Sequence, residues 1–255
     1  MHCVVDFYEG NGIFDQRGLH QAVCYLRSRD GGVTWEKANG TRIDLPARPE
    51  QLDILARTTK TERHEPMPPP EVLAQGCIVA TRKAVPHVLY ISHLEEPGQL
   101  VHAWLDGTWH RQPIEATQDA FAGHRPTGCR GTLTTDAAGT LYVLLELQPL
   151  AGGWTNGKPT RDMGWNTETK RLVWVVSNDR GASWQASLAL PAETVLNEAN
   201  VERPTGVNMP VAGQLPPFIY FDGISRDPEE GETIQNSVYF FRQEGAEEPD
   251  KTEML

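Results

Sequence analysis

The 255-residue sequence predicts an all-β protein built of antiparallel hairpins, on three observations. Strand-sized runs rich in Val, Ile, Leu, Tyr and Trp recur over 4–8, 20–27, 76–81, 87–92, 100–105, 131–135, 140–147, 171–177, 218–221 and 237–242. Such residues fit a pleated, half-buried surface. The chain is punctuated by 23 Gly and 19 Pro, so few stretches hold a helical period over three turns. Turn chemistry also sits between the runs. Asp106-Gly107 separates 100–105 from 109–114, and Asp136-Ala137-Ala138-Gly139 separates 131–135 from 140–147. An Asp-Gly step between apolar runs is a strong hairpin signal. The best helix candidate is the polar segment 50–61.

Composition narrows the function classes. Lys+Arg total 23 against 34 Asp+Glu, a formal net charge of -11. Phosphate neutralisation needs a basic face, so a nucleic-acid partner is not expected. The same balance argues against an anionic membrane surface. The longest apolar stretches, 141–145 and 172–176, fall well short of the ~20 residues of a spanning helix. The opening Met1-His2-Cys3-Val4-Val5-Asp6 lacks the basic and apolar segments of a secretory leader and begins at once on a strand. Cys3, Cys24, Cys77 and Cys129 show no CxxC spacing, so buried free thiols are expected rather than a zinc knuckle.

One pattern occurs twice. Ser28-Arg29-Asp30-Gly31-Gly32-Val33-Thr34-Trp35 returns as Ser177-Asn178-Asp179-Arg180-Gly181-Ala182-Ser183-Trp184, sharing S-x-D-x-G-x-[TS]-W. Each copy follows an apolar run and precedes a short polar one. The carboxylates of Asp30 and Asp179 can accept amide hydrogen bonds of the tight turn that follows. Gly32 and Gly181 permit positive φ. Ser28 and Ser177 can bond the backbone, and Trp35 and Trp184 can bring the returning strand onto the apolar face. These residues are fully accounted for by turn geometry, so Asp30 and Asp179 are not candidate catalytic acids.

This pattern resembles the Asp box, or BNR repeat, of the sialidase-like β-propellers. The resemblance implies four-stranded blades around an axis, near 1–46, 76–114, 129–190 and 200–243, with a polar tail over 244–255. Four blades are fewer than the six or seven of such a ring, so the chain is expected to be a C-terminal portion of a longer propeller. A secreted or periplasmic setting is expected if a leader lies upstream.

The stretch 18–27 (GLHQAVCYLR) running into the first repeat, with Pro86-His87-Val88-Leu89-Tyr90 and Val101-His102-Ala103-Trp104, resembles the subgroup that contains ulvan lyases and related rhamnose–glucuronate-acting enzymes. The resemblance implies a site of two histidines, a tyrosine and an arginine. His2 and His20 are the candidate histidine pair and Tyr90 the tyrosine. Arg111, Arg125 and Arg203 are candidate substrate-binding arginines. The chemistry suits these residue types. β-Elimination needs a cation beside the uronate carboxylate, a base for the C5 proton and an acid for the departing O4. No metal or other cofactor is implied, and the partner is a polysaccharide or oligosaccharide. Two alternatives stay open. A sialidase-type glycosidase would need an arginine triad, and its Arg-Ile-Pro element is absent from this sequence. A binding-only propeller would use loop aromatics such as Trp154 and Trp165 to stack on sugar rings.

Overall fold

The computed structural model describes residues 1–9, 19–57, 73–92, 98–128, 132–149, 154–155, 158–159, 170–190, 196–201, 210–224 and 235–242. Its strands form four main antiparallel sheets, in chain order. The first holds β1 (His2–Glu9), β2 (Leu19–Arg27), β3 (Trp35–Glu36) and β4 (Arg42–Ile43), with β5 (Asp53–Arg57) also paired to β2. The second is the meander β6 (Leu73–Ala80), β7 (Pro86–Ser92), β8 (Gln99–Asp106) and β9 (Thr108–Pro113). After a five-residue helix, α1 (Ala116–Ala120), the third sheet starts with β10 (His124–Gly128) and β11 (Leu133–Thr135), both paired to β12 (Leu141–Pro149). Two short strands, β13 (Trp154–Thr155) and β14 (Lys158–Pro159), pair with each other. The third sheet then continues with β15 (Arg171–Ser177) and β16 (Gln185–Leu188). The fourth holds β17 (Leu196–Val201), β18 (Phe218–Ile224) and β19 (Gln235–Phe241). These are the all-β, propeller-type blades that the sequence predicts.

The blades stack because each strand carries apolar side chains on both faces. Between the first and second sheets, Val23, Tyr25 and Leu55 meet Val88, Tyr90 and Val101. Between the second and third, Leu89, Ile91 and Leu100 meet Leu133, Val143 and Val173. Between the third and fourth, Tyr142, Leu144 and Trp174 meet Val201 and Phe218. Trp174 meets Phe218 edge-on at 5.7 Å, a geometry worth about 0.5–1.5 kcal/mol beyond area burial. The outer face of the first sheet is closed by its own chain, with Trp35, Ile43 and Leu52 covering Ala22, Cys24 and Leu26.

Two expectations need correction. The segment 50–61 is not a helix over its described part. Pro49–Gln51 makes one 3-10 turn with proline at its start, and β5 follows directly. The side-chain period there is two, with Ile54 packing toward the outer face and Leu55 toward the second sheet. The third sheet also reaches back before residue 129, because β10 supplies its first strand segment. Pro126 cannot donate to a ladder, and the register of β10 on β12 shifts between Pro126 and Gly128.

Both repeat turns fold as their chemistry predicts. Gly32 N–H donates to Ser28 Oγ at 2.7 Å, and Thr34 donates to Asp30 from its amide at 2.8 Å and its hydroxyl at 2.6 Å. In the second copy Gly181 N–H donates to Ser177 Oγ at 2.7 Å, and Ser183 donates to Asp179 at 2.8 and 2.6 Å. The hydroxyl of Ser183 and the amide beside it hold the Asp179 carboxyl down to about 2, and Thr34 lowers Asp30 in the same way. Trp35 packs on the outer face of the first sheet, and Trp184 packs against the core between the second and third. Cys24 and Cys77 are buried and Cys3 is half-buried, and burial pushes the Cys24 thiol up to about 12. Cys129 lies outside the described residues.

A buried histidine pair lies within the second blade, with the His102 ring edge-on to Trp184 of the third. His87 Nδ1 lies 2.9 Å from His102 Nε2, and both rings are almost fully buried. Burial first, and then the Arg180 guanidinium, lowers His87 to about 4; burial first, and then His87, lowers His102 to about 3. The unfolded chain takes up these protons near pH 6.5, whereas the folded chain resists them. The pair's contribution to stability is therefore present above about pH 6.5 and is lost as the pH falls toward 4. Melting temperature should drop steadily across that window, and the drop should flatten in His87→Gln. A wild-type melting temperature that holds constant from about pH 7 to about pH 4.5 would contradict the buried neutral pair.

Candidate functional site at the end opposite the repeat turns

The strands give each sheet two ends. One carries the repeat turns, which leave β2 after Arg27 and β15 after Ser177. At the other end of the first two sheets, the last residues of β5 and β7, the first residue of β8 and Arg111 of β9 meet. They enclose a cleft of about 270 Å³ lined by Ala56, Arg57, Tyr90, Ser92, Gln99, Val101 and Arg111. Hydrophobic packing sets its floor. Tyr90 is 4% exposed and belongs to the core between the two sheets, with Val101 beside it.

Two of the expected residues, Tyr90 and Arg111, therefore share this cleft. Arg111 extends from the edge strand β9 and donates from Nη1 to the Leu55 carbonyl, which bridges the second sheet to the first. Its other N–H groups leave a fork suited to a carboxylate. Burial raises the Tyr90 phenol, and the Arg111 charge opposes that rise. Tyr90 thus holds its proton at neutral pH and can act as a donor. Arg57, which sequence reading missed, adds a second guanidinium. It pairs with Glu50 at 2.9 Å, and both side chains are about half exposed. Among the described residues the lining contains two cations and no carboxylate, in a chain of net charge -11.

The two histidines are not brought together. In the β1–β2 ladder His2 stands opposite Arg27, whereas His20 stands opposite Tyr8. Seven residue steps along β2 separate these points, roughly 20 Å at strand rise. A pair built from sequence spacing alone ignores that an antiparallel hairpin sends such residues to opposite ends. His2 lies at the repeat-turn end, where its Nδ1 is 2.7 Å from the Tyr25 hydroxyl. Its imidazole is lowered by burial, then by the chain's own amino terminus and Arg27. The backbone of His20 lies at the cleft end, two residues before Ala22, which pairs with Arg57. Its side chain lies outside the described residues.

The remaining candidates fall elsewhere. Arg125 is buried on β10 of the third sheet, opposite Gln148, and is not among the residues that line the cleft. Trp154 is in β13, its backbone paired to Pro159, and its side chain lies outside the described residues. Arg203 and Trp165 also lie outside the described residues. A buried ion pair sits at the start of β15, with Lys170 Nζ 3.0 Å from Glu146 Oε2.

No protein-family model matches the chain, and no curated protein matches it. Among solved structures, the chain is similar to an ulvan lyase described as a new family of polysaccharide lyase and bound to -[GlcA(1-4)Rha3S]-. The TM-score is 0.53 at 11% identity, covering 93% of this chain and 48% of that one. A second ulvan lyase structure gives a TM-score of 0.49 at 10% identity, covering 93% of this chain and 51% of that one. An endo-arabinase from Bacteroides thetaiotaomicron gives 0.44 at 12% identity, covering 96% and 72%. The chain spans about half the length of the ulvan lyase. What it shares with that lyase is the fold, an all-β stack of antiparallel blades.

Proposed function

We propose that this chain belongs to a carbohydrate-active protein of the Asp-box type that cleaves a uronate-containing glycan by β-elimination, with the cleft between the first two blades as its substrate site. The observation that carries this reading is the meeting of Tyr90 and Arg111 in one cleft, whose lining among the described residues holds no carboxylate. Arg111 would hold the uronate carboxylate and offset the negative charge that builds as the C5 proton leaves. Tyr90, still protonated at neutral pH, would donate its proton to the departing O4. The base is assigned to His20, whose backbone stands at this end of β2. His2 has no part in the reaction, because it is bonded to Tyr25 at the far end of the sheet. The likeness in fold to a lyase that binds a glucuronate–rhamnose ligand supports the substrate class.

The test is the rise in ultraviolet absorbance of unsaturated uronate ends on incubation with a glucuronate–rhamnose polysaccharide. Tyr90→Phe should lower turnover by about a hundredfold, since a positioned acid contributes 10²–10⁴. Arg111→Lys keeps the charge but loses the fork, and should lower kcat/KM by roughly ten- to a hundredfold. Release of free sugar without an unsaturated end would replace elimination with hydrolysis.

A further inference from the structure

We infer that Arg57 is a second anion-binding residue of this cleft, held by Glu50 until a polyanionic glycan enters. The inference rests on the proposed reading of the cleft as a uronate site and extends it to the substituent beside the uronate. Arg57 is the last residue of β5 and faces the same cavity as Arg111, from the opposite sheet. The two arginines differ in how they are held. Arg111 has one nitrogen committed to the Leu55 carbonyl. Arg57 is held by a surface carboxylate, with 45% of its own side chain and 57% of the Glu50 side chain exposed. An exposed pair of this kind is screened by solvent and contributes little. A ligand anion entering the cleft can therefore displace Glu50 at little cost.

Glu50 itself stays in place. It is the middle residue of the 3-10 turn Pro49–Gln51, and the Gln51 side chain closes that turn by accepting from the Arg48 amide at 2.8 Å. The carboxylate thus remains beside the cleft as a competitor. Two guanidiniums from two sheets fit two anionic groups on adjacent sugars, a carboxylate at Arg111 and a sulfate ester or second carboxylate at Arg57. A neutral glycan would leave Arg57 on Glu50.

Calorimetric titration of the full chain with a sulfated glucuronate–rhamnose tetrasaccharide and its desulfated form tests this. Wild type should prefer the sulfated form. Arg57→Gln should weaken the sulfated ligand about tenfold and erase the preference. Arg57→Lys should fall between the two. Glu50→Gln should act in the opposite direction and tighten the sulfated ligand several-fold. A purely structural Arg57–Glu50 pair would make both changes act alike, so weaker binding in Glu50→Gln overturns the inference. A preference that survives in Arg57→Gln while Arg111→Lys weakens both ligands also overturns it, and leaves the uronate reading standing. Binding of neither ligand by wild type, or binding unchanged in both Arg57→Gln and Arg111→Lys, overturns both readings.

Discussion

Gly181→Ala should destabilise the protein by roughly 3–5 kcal/mol, whereas the matching Gly32→Ala should cost only ~1–2 kcal/mol. The two glycines hold the same place in the two repeat turns and nearly the same backbone, φ 95° and φ 99°. A side chain at positive φ costs about 1–2 kcal/mol at either position. What differs is the space. A Cβ on Gly32 would meet nothing closer than Trp35 at 3.8 Å, ordinary contact. A Cβ on Gly181 would stand 2.1 Å from His102 Cε1 and 2.6 Å from its Nδ1. That ring cannot retreat, because it is fully buried, bonded to His87, stacked on Trp104 and edge-on to Trp184. The turn is held as well, by Gln112 donating to the Gly181 carbonyl. Overpacking of this kind typically adds 1–3 kcal/mol or more. Urea denaturation of both variants reads the difference directly. Equal losses would mean that the turn, rather than its docking on the second blade, determines the cost.

Lys170→Met should cost about 3–5 kcal/mol. Lys170 and Glu146 are each 8% exposed in their side chains and lie 3.0 Å apart at one end of the third sheet. Taking the ammonium from this pair removes a charge-assisted hydrogen bond from a carboxylate held in a low-dielectric setting. The double change Lys170→Met with Glu146→Leu should recover part of the loss, since a packed apolar pair removes the buried carboxylate along with the ammonium. Denaturation of the two single variants and the double variant forms the thermodynamic cycle. A single variant as stable as wild type would show that the ammonium contributes nothing there.

The strands, the hairpins at Asp106-Gly107 and Asp136-Gly139, and both repeat turns are legible in the sequence because each depends on residues close in the chain. Asp136 illustrates the point: its carboxylate accepts from the Ala138 and Thr140 amides, two and four residues away. The cleft is legible only in part. Tyr90 and Arg111 are singled out by residue type and motif, but their meeting depends on how two blades stack. Arg57 is missed because its neighbourhood is polar and the segment 50–61 reads as a helix. The short apolar step Ile54-Leu55-Ala56 is the strand signal that would have placed it. The histidines fail for a related reason. Sequence distance between His2 and His20 says nothing about which end of a ladder each one occupies, and the pairing of His87 with His102 comes from a diagonal between β7 and β8, where His102 stands opposite Leu89.

The repeat turns also bear on the order in which the chain acquires its structure. Every hydrogen bond described within them spans four residues or fewer, as from Thr34 to Asp30 and from Ser183 to Asp179. Closing so short a loop costs little chain entropy and takes well under a microsecond. The bond that docks one blade on the next, Gln112 to Gly181, joins residues 69 apart. Contacts of that range set the pace of folding in β-rich chains. Each turn, at 28–35 and at 177–184, can close before the blade it belongs to has a neighbour on both sides. Assembly of this molecule is then a sequence of preformed corners waiting for distant faces to arrive.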